Sequence, residues 1–185
     1  MNDELHVSAP ILSAALGDIE QSPKLASVLD MIVRRPGEDL REVVTEARLD
    51  AAEGLVGDGW RARGSSQTPD QSAHPEMQLT VMNSRSIALI AARRDRWALA
   101  GDQLFVDLDL STANLPAGSR LQIGAAVIEI TTLPHTGCAK FKARFGADAL
   151  HFVNSPAGRE LRLRGVNARV VRGGAIRVGD RVAKL

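Results

Sequence analysis

The stretch Gln103-Leu-Phe-Val-Asp-Leu-Asp-Leu110 alternates apolar and polar side chains over most of its length. Successive side chains of a β-strand point to opposite faces, so Asp107 and Asp109 share one face while the aliphatic residues share the other. The aliphatic face consists of Leu104, Val106, Leu108 and Leu110. This pattern predicts a half-buried strand whose aliphatic face covers a core.

Segments that precede this stretch also have the composition of strands. Residues 11–16 and 27–33 are apolar runs, which we interpret as the strand-and-loop beginning of the domain. Residues 41–49 are compatible with a strand or with a short helix, because their periodicity does not decide between the two.

Two further strand regions follow it. Residues 121–132 form a long apolar segment, in which Gly124 indicates a bulge or a barrel corner. Residues 166–171 and 175–182 are separated by Gly173-Gly174, and together they predict a C-terminal hairpin.

The predicted helices are few and short. Residues 86–94 carry apolar side chains at helical spacing behind Ser86, which is a suitable capping residue. Residues 147–152 and 155–163 predict two more helices, the second capped by Ser155. Because strands and helices do not alternate regularly, the sequence predicts a mainly β fold, a strand-dominated barrel with a few short peripheral helices.

Length and composition indicate a soluble globular protein. The 185 residues fit a single domain over 1–185, and hydrophobic residues make up 44% of them. No apolar run approaches the roughly 18 residues that a membrane span requires. The beginning of the chain lacks the basic and apolar segments of a secretory signal, so we expect a cytoplasmic protein without a membrane partner. Residues 65–76 are polar and rich in Pro and Ser, which predicts a surface loop.

The charges are distributed asymmetrically along the chain. Residues 1–133 carry 12 Lys or Arg against 19 Asp or Glu, whereas residues 134–185 carry 11 against 3. Of the 23 basic residues 19 are arginine, whose planar guanidinium binds phosphate or carboxylate through two hydrogen bonds. The asymmetry favours an anionic ligand, although a solvated basic face remains an alternative.

The cationic part of the chain begins at its only cysteine, Cys138, in the stretch Leu133-Pro-His-Thr-Gly-Cys-Ala-Lys-Phe-Lys-Ala-Arg-Phe-Gly146. A free cysteine is most often a buried packing residue. This one follows a turn and precedes three basic residues, Lys140, Lys142 and Arg144. Positive charge near a thiol favours the thiolate, which is both a nucleophile and a soft metal ligand. The context therefore favours a functional thiol.

Several other chemistries lack the residues that they need. A structural zinc site requires four N or S ligands, and the chain has one cysteine and four unpaired histidines. A cysteine hydrolase needs a base beside the thiol, for which His135 and His151 are the available histidines. The glycine-rich loop at 54–59 lacks the ending of a phosphate-binding P-loop. With 3% aromatic residues and no Tyr, the chain also lacks a stacking platform for nucleic acid, so we expect no such partner.

Several motifs, in this order, resemble the MOSC domain in its small stand-alone bacterial form; the domain is named after the C-terminal domain of molybdenum-cofactor sulfurases. The first two are Gly54-Leu-Val-Gly-Asp58 and Leu115-Pro-Ala-Gly-Ser-Arg-Leu-Gln-Ile-Gly124. The third and most specific is Pro134-His-Thr-Gly-Cys-Ala-Lys-Phe141 with Arg144-Phe-Gly146. The last is Arg164-Gly-Val-Asn-Ala-Arg-Val-Val-Arg-Gly-Gly174, followed by Val178-Gly-Asp180.

The resemblance implies a pyruvate-kinase-like β-barrel and a molybdenum cofactor, in which molybdopterin carries the metal. Cys138 is then the metal ligand, or it carries sulfur as a persulfide. The implied cofactor-binding residues, assigned by position alone, are Thr80, Asn83, Arg85, Lys140, Arg144 and Arg164. Characterised reductases of the family remove oxygen from N-hydroxylated compounds. Such a role here would need an external electron donor, whereas a sulfur carrier would need a sulfur donor protein.

Two departures limit what the resemblance implies. Gln103 stands where many members have Asn in a Gly-Glu-Asn-Leu-Thr run, so a cofactor contact is expected to be altered or lost. This departure keeps open the alternative of a non-catalytic barrel that binds another anionic ligand on its basic face. The family-level association with pyridoxal phosphate is not expected to apply, because 185 residues are too few for a pyridoxal-phosphate lyase domain. Full sulfurase activity is therefore not expected, and the sequence leaves the oligomeric state open.

Overall fold

A computed structural model describes residues 5–185, in which the chain forms a closed β-barrel flanked by helices. The strands are β1 (Ala26–Arg34), β2 (Glu42–Val44), β3 (Glu46–Asp50), β4 (Gly54–Leu55), β5 (Leu79–Asn83), β6 (Leu104–Val106), β7 (Arg120–Ile123), β8 (Ala126–Ile130), β9 (Val166–Arg172), β10 (Gly174–Arg177) and β11 (Arg181–Lys184). The predicted barrel is confirmed. Helices nevertheless occupy about 30% of the residues and strands 28%, so the helical part is larger than the sequence indicated.

The barrel closes because β1 is long enough to pair with strands from both ends of the sheet. Around the barrel the strand order is β11, β7, β8, β9, β5, β6 and β1, and β1 then pairs with β11. The first part of β1 pairs with β11, with Ala26 opposite Ala183, while its last part lies opposite β6 at Ile32–Leu104. An irregularity between Leu29 and Met31 separates the two pairings. Strands β5 and β6 are parallel, and the other pairs are antiparallel.

The helices are α1 (Ala9–Ala14), α2 (Leu16–Glu20), α3 (Trp60–Arg63), α4 (Ser84–Ala91), α5 (Ala139–Asn154) and α6 (Pro156–Glu160), with 3₁₀ helices at Pro75–Met77 and Arg94–Ala100. Helix α5 is two helices in sequence, because Gly146 interrupts it with a φ of +91°. Among the described residues, none of these helices combines the length and apolarity that a bilayer crossing requires.

The aliphatic face predicted for residues 103–110 does cover the barrel interior. Leu104, Val106, Leu108 and Leu110 are buried together in the interior core. Phe105 points the other way and is buried in a second core between the barrel and the helices, where its ring lies 6.0 Å from that of Trp97. Full burial of such a side chain contributes about 1.5–3 kcal/mol. The strand is shorter than predicted and is buried on both faces instead of half-buried, while Asp107 and Asp109, which follow it, are partly exposed.

Two segments that the sequence predicted as strands are arranged differently. Residues 11–16 are helical, because Pro10 is in the first turn of α1 and Leu12 packs in the outer core beside α5. Residues 121–132 are not one strand but the hairpin β7–β8. Gly124, with a φ of +53°, is in the turn between Ile123 and Ala126, which are paired. It reverses the chain instead of making a bulge.

The predicted C-terminal hairpin is also wrong. β9 pairs with β8 and β5 inside the barrel, whereas β10 leaves the barrel and pairs with β3. A Cβ atom on Gly174 would lie 2.7 Å from the backbone of Ala125, so only glycine allows the chain to pass there. Residues 27–33 form a strand as predicted, and 41–49 contain β2 and β3. The helix predicted at 86–94 begins earlier, at Ser84, and is capped by Asn83 instead of Ser86.

Candidate functional site

A cavity of about 210 Å³ opens at one end of the barrel, where β1 and β8 end and β5, β6 and β9 begin. We call it the basic cavity. Its lining comes from six separate parts of the chain: Arg35, Trp60, Arg63, Gly64, Ser65, His74, Met77, Thr80, Gly101, His135, Arg164 and Asn167. Three arginines and two histidines are among these residues, and the lining contains no carboxylate.

The first arginine, Arg35, is fixed by a buried ion pair with Asp58. Its Nε and Nη2 donate hydrogen bonds of 2.9 Å to the two carboxylate oxygens, and Nη1 donates to the carbonyl of Gly101 at 2.8 Å. Asp58 reaches this position from the glycine-rich loop between β4 and α3. A Cβ on Gly59 would lie 2.7 Å from the Arg35 carbonyl oxygen, so the loop approaches Arg35 as only glycine allows. The pair fixes the guanidinium at the cavity wall.

The second arginine, Arg164, is held in the same way by Asp102. Its Nη1 donates to an Asp102 carboxylate oxygen, Nη2 donates to the Ala100 carbonyl at 2.9 Å, and the guanidinium lies 4.9 Å from the centre of the Phe141 ring. Asp102 is fully buried, and this burial raises the pKa of its carboxyl group, while Arg164 acts in the opposite direction. Two buried acid–base pairs thus preorganise two cations.

His135 lies beside the second pair. Its Nδ1 is 3.4 Å from Asp102 Oδ1. Burial lowers the pKa of His135 well below its usual value, and the positive charges of Arg164 and Arg35 lower it further. The imidazole is therefore neutral at neutral pH, with one nitrogen able to donate and the other able to accept a hydrogen bond.

Four buried polar atoms at this place have no hydrogen-bond partner among the described residues: His135 Nδ1, Asp102 Oδ1, Arg164 Nε and Asn167 Oδ1. Buried polar groups are nearly always paired, so a cluster of unpaired ones marks a binding site or a strained core. Three of the four residues, Arg164, His135 and Asn167, line the basic cavity, and the fourth atom, Asp102 Oδ1, lies 3.4 Å from His135 Nδ1. The cluster offers both donors and acceptors.

More positive than negative charge lies beside the basic cavity. A second cavity of about 580 Å³ shares Arg35, Arg63 and Gly101 with it and adds two cations, Arg41 and Lys140, and two carboxylates, Glu38 and Asp39. Within residues 5–185, neither Arg41 nor Arg63 forms an ion pair. Burial lowers the pKa of both guanidinium groups. The charges of Arg144 and Arg35 lower the pKa of Arg41 further and Arg35 lowers that of Arg63, while Asp39 and Asp58, respectively, act in the opposite direction. Crowded cations of this kind favour an anionic ligand.

Cys138 is exposed and lies immediately before α5, with an extended backbone (φ −122°, ψ 179°). The preceding turn is held by Asn154, whose side chain bonds both the N–H and the carbonyl of Gly137 at 2.9 and 3.1 Å. Three residues upstream His135 lines the basic cavity, and two residues downstream Lys140 lines the second cavity. The thiol is thus on a fixed loop between the two, but Cys138 is not part of either lining.

The structure brings four of the other six predicted residues to this region. Thr80 and Arg164 line the basic cavity. Lys140 lines the second cavity and pairs with Glu38 at 2.9 Å, while Arg144 pairs with Asp39 at 2.6 Å. Both pairs are exposed and therefore weak.

Asn83 and Arg85 are not in the lining of either cavity. Asn83 caps α4, and its amide donates to Ser22 and to the Leu108 carbonyl. Arg85 pairs with Asp107 at 2.6 Å and donates to the Asp18 carbonyl. All the hydrogen-bonding atoms of the Asn83 side chain are used within the fold.

Gln103, the departure from the family motif, is fully buried. Its carbonyl oxygen accepts hydrogen bonds from the backbone and hydroxyl of Thr80, at 2.7 and 2.9 Å. Its amide donates to Asp58 and to the Gln78 carbonyl, at 3.2 Å each. Gln103 therefore braces the acid that fixes Arg35 and does not itself line the cavity.

Sequence reasoning missed several cavity residues. The sequence assigns no role to Arg35, and it indicates His135 only as a base for the thiol. Arg63 and Asn167 gave no signal, although Asn167 lies in a quoted motif. Arg35 follows β1 and Asn167 lies near the start of β9, whereas Arg63 ends α3, and the closed topology decides that these positions meet.

Comparison with known proteins agrees with this architecture. The family model of the MOSC domain matches residues 68–183. The YuaD protein of Bacillus subtilis superposes with a TM-score of 0.64 at 14% identity, covering 85% of this chain and 94% of that one. YiiM from Escherichia coli has a TM-score of 0.54 at 17% identity, and the match covers 85% of this chain and 69% of that one. YiiM from Geobacillus stearothermophilus has a TM-score of 0.53 at 13% identity, and the match covers 88% of this chain and 74% of that one. At these identities the likeness to solved structures concerns the fold alone. No curated protein matches the sequence.

Proposed function

The chain belongs to the MOSC domain family, and we propose that it binds the molybdenum cofactor in the basic cavity, with Cys138 as the sulfur ligand of the metal. The observation that carries the proposal is the convergence of Arg35, Arg63 and Arg164 on one cavity whose buried polar atoms lack partners. The loop that forms part of its wall ends in the exposed thiol.

The residues suit the phosphate of a pterin cofactor. Arg63 has no carboxylate partner among the described residues, so it is free to bind an anion, and Arg164 retains an unused Nε. Guanidinium groups bind phosphate through paired, charge-assisted hydrogen bonds. Because Arg35 and Arg164 are held by buried acids, the site loses little side-chain entropy when a ligand binds.

The neutral part of a pterin has N–H donors and ring-nitrogen acceptors. Neutral His135, which lines the basic cavity, supplies a donor or an acceptor for the ring. We assign His135 to the pterin ring and the arginines to the phosphate. When bound, the cofactor supplies a redox-active metal that takes sulfur and oxygen ligands.

Cys138 has two roles open to it under this proposal. As a metal ligand it anchors the cofactor in a reductase of N-hydroxylated compounds, which draws its electrons from an external donor. As a persulfide it carries sulfur received from a donor protein. Intact-protein mass spectrometry distinguishes the two, because a persulfide adds the mass of one sulfur atom that a thiol reductant removes.

The test is the metal and pterin content of protein purified from a host that makes the cofactor. We expect molybdenum and pterin in the wild type, loss of molybdenum in Cys138→Ala, and lower occupancy of both in Arg63→Gln. Arg172→Gln is the matched control, since Arg172 is exposed at the end of β9 and outside both cavities. Wild-type protein without molybdenum, or molybdenum unaffected by Cys138→Ala, would refute the proposal.

The alternative is a non-catalytic module that binds another anionic ligand. It is favoured by the internal hydrogen bonding of Gln103 and by the position of Cys138 outside the cavity linings. Under this alternative Cys138→Ala binds the anion as the wild type does, while Arg63→Gln does not. A cysteine hydrolase is less well supported, because no histidine nitrogen within residues 5–185 hydrogen-bonds the Cys138 thiol.

A further inference from the structure

A third cavity, of about 290 Å³, meets the basic cavity at His135 and Asn167, which line both. We call it the side cavity. Its volume corresponds to about ten water volumes, so it accommodates a molecule of about ten non-hydrogen atoms. Its lining includes the aliphatic residues Ile130, Leu133 and Val153 and also four threonines.

Asn167, which lines the side cavity, has an unused hydrogen-bond acceptor. The residue is 1% exposed, and its amide nitrogen donates to the Leu133 carbonyl at 3.1 Å. That bond fixes the orientation of the side chain and leaves Oδ1 without a donor. A buried acceptor without a partner is destabilising, and a hydrogen bond from a ligand N–H or O–H would remove that cost.

Elsewhere the side cavity is lined by two cations, Arg159 and Arg162. Neither forms an ion pair among residues 5–185. Arg162 is held by hydrogen bonds from Nη1 to the Leu110 and Leu115 carbonyls, and burial lowers its pKa. The lining of the side cavity therefore combines a hydrogen-bond acceptor, positive charge and aliphatic surface.

We propose that the side cavity is a substrate pocket for a small organic carboxylate that carries an N–H or O–H donor at the end opposite its carboxylate. Arg159 and Arg162 bind the carboxylate, and Asn167 receives the donor. Because His135 is neutral, it does not compete for the carboxylate, so the ligand has one orientation, with its donor end toward the basic cavity. That the bound carboxylate is a substrate rests on the proposed function, whereas its binding in the side cavity does not.

4-Aminobenzoate is the probe, since it has ten non-hydrogen atoms with a carboxylate and an amine at opposite ends. Its binding is measured by isothermal titration calorimetry on wild-type protein from a host that lacks the cofactor. We expect the affinity to fall about tenfold or more for 4-aminobenzamide, which lacks the charge, and for benzoate, which lacks the amine. Arg159→Gln should lower the affinity for 4-aminobenzoate and leave that for 4-aminobenzamide unchanged.

Two variants complete the test. Asn167→Leu should remove the preference for 4-aminobenzoate over benzoate, and Arg172→Gln should bind 4-aminobenzoate as the wild type does. Circular dichroism confirms that each variant is folded, and Arg159→Gln provides the test if Asn167→Leu is not. The inference is overturned if 4-aminobenzoate does not bind, or binds equally well to Arg159→Gln. Molybdenum content, measured separately, reports failure of the proposed function without affecting this result.

Discussion

Replacing Asp58 by Asn is expected to destabilise the protein strongly, because one buried carboxylate organises the wall of the basic cavity. Its side chain is 0% exposed, and its two oxygens accept from three Arg35 nitrogens at 2.8–2.9 Å, from Trp60 N–H at 2.9 Å and from Gln103 at 3.2 Å. Asparagine offers one acceptor and turns an N–H group toward these donors. Arg35 then remains as a buried charge without a counterion.

Breaking a buried ion pair by removing one partner costs about 3–5 kcal/mol, a large part of the roughly 5–15 kcal/mol that stabilises a typical domain. For a protein of this size, each kcal/mol lowers Tm by about 2–4 °C, so we expect a fall of about 6–20 °C. Urea unfolding followed by tryptophan fluorescence measures the free energy, and Trp60 lies next to the change.

Asp95→Asn is the matched control. Asp95 also pairs with an arginine, Arg93, but the two side chains are 61% and 60% exposed. Exposed pairs contribute about 0–1 kcal/mol, so this variant should unfold nearly as the wild type does. The reasoning that a buried ion pair positions Arg35 is refuted if Asp58→Asn lowers the free energy of unfolding by less than about 1 kcal/mol. It is refuted equally if Asp58→Asn lowers that free energy no more than Asp95→Asn does.

Three further predictions concern single residues. The pKa of His135 is lower in the folded protein than in the unfolded chain, where it is about 6.5. Below about pH 6.5 the unfolded state therefore binds more protons than the folded state, so the free energy of unfolding should decrease as the pH falls. His135→Gln should reduce that decline, as measured by urea unfolding between pH 7 and pH 5; an unchanged slope would contradict the cause assigned to the pKa. Gly146→Ala should lower the free energy of unfolding by about 1–3 kcal/mol in the same assay, because φ at this position is +91° and the new Cβ would lie 3.0 Å from the His6 ring. An unchanged free energy would show that the break in α5 relaxes to accept alanine. Gln103→Leu should cost about 3 kcal/mol or more by leaving Thr80 N–H and neighbouring groups unpaired, and a smaller loss would mean that water replaces the amide.

The alternation around Leu104–Val106 was sufficient to predict which side chains fill the barrel. A period of two is a local property of extended backbone, so it can be read without knowledge of the partner strands. The helix after Asn83 could likewise be predicted locally, because the spacing of its apolar residues and its capping residues lie close together in the sequence. The order of motifs around Cys138 likewise indicated the family, because it depends on residue identity along the chain alone.

Strand pairing was less predictable, because it depends on contacts between distant segments. The chain reverses at Gly124 instead of bulging, and Gly174 leads it out of the barrel to β3 instead of into a hairpin. Glycine permits several conformations, so its presence marked these positions without selecting among them. At Gly124 the pairing of Ile123 with Ala126 selects a turn. At Gly174 the close approach of the Ala125 backbone selects the path out of the barrel.

The candidate site shows the same division. The sequence by itself determined the barrel interior, the family and a thiol that is close to basic residues along the chain. Only the tertiary structure brought together Arg35, Asp58, Asp102, His135 and Arg164. Only the tertiary structure showed that Asn83 and Arg85 form hydrogen bonds and an ion pair within the fold, away from the two cavities. Ion pairing and pKa values arise from distances between side chains far apart in sequence, and barrel closure, through the pairing of β1 with β11, decides those distances.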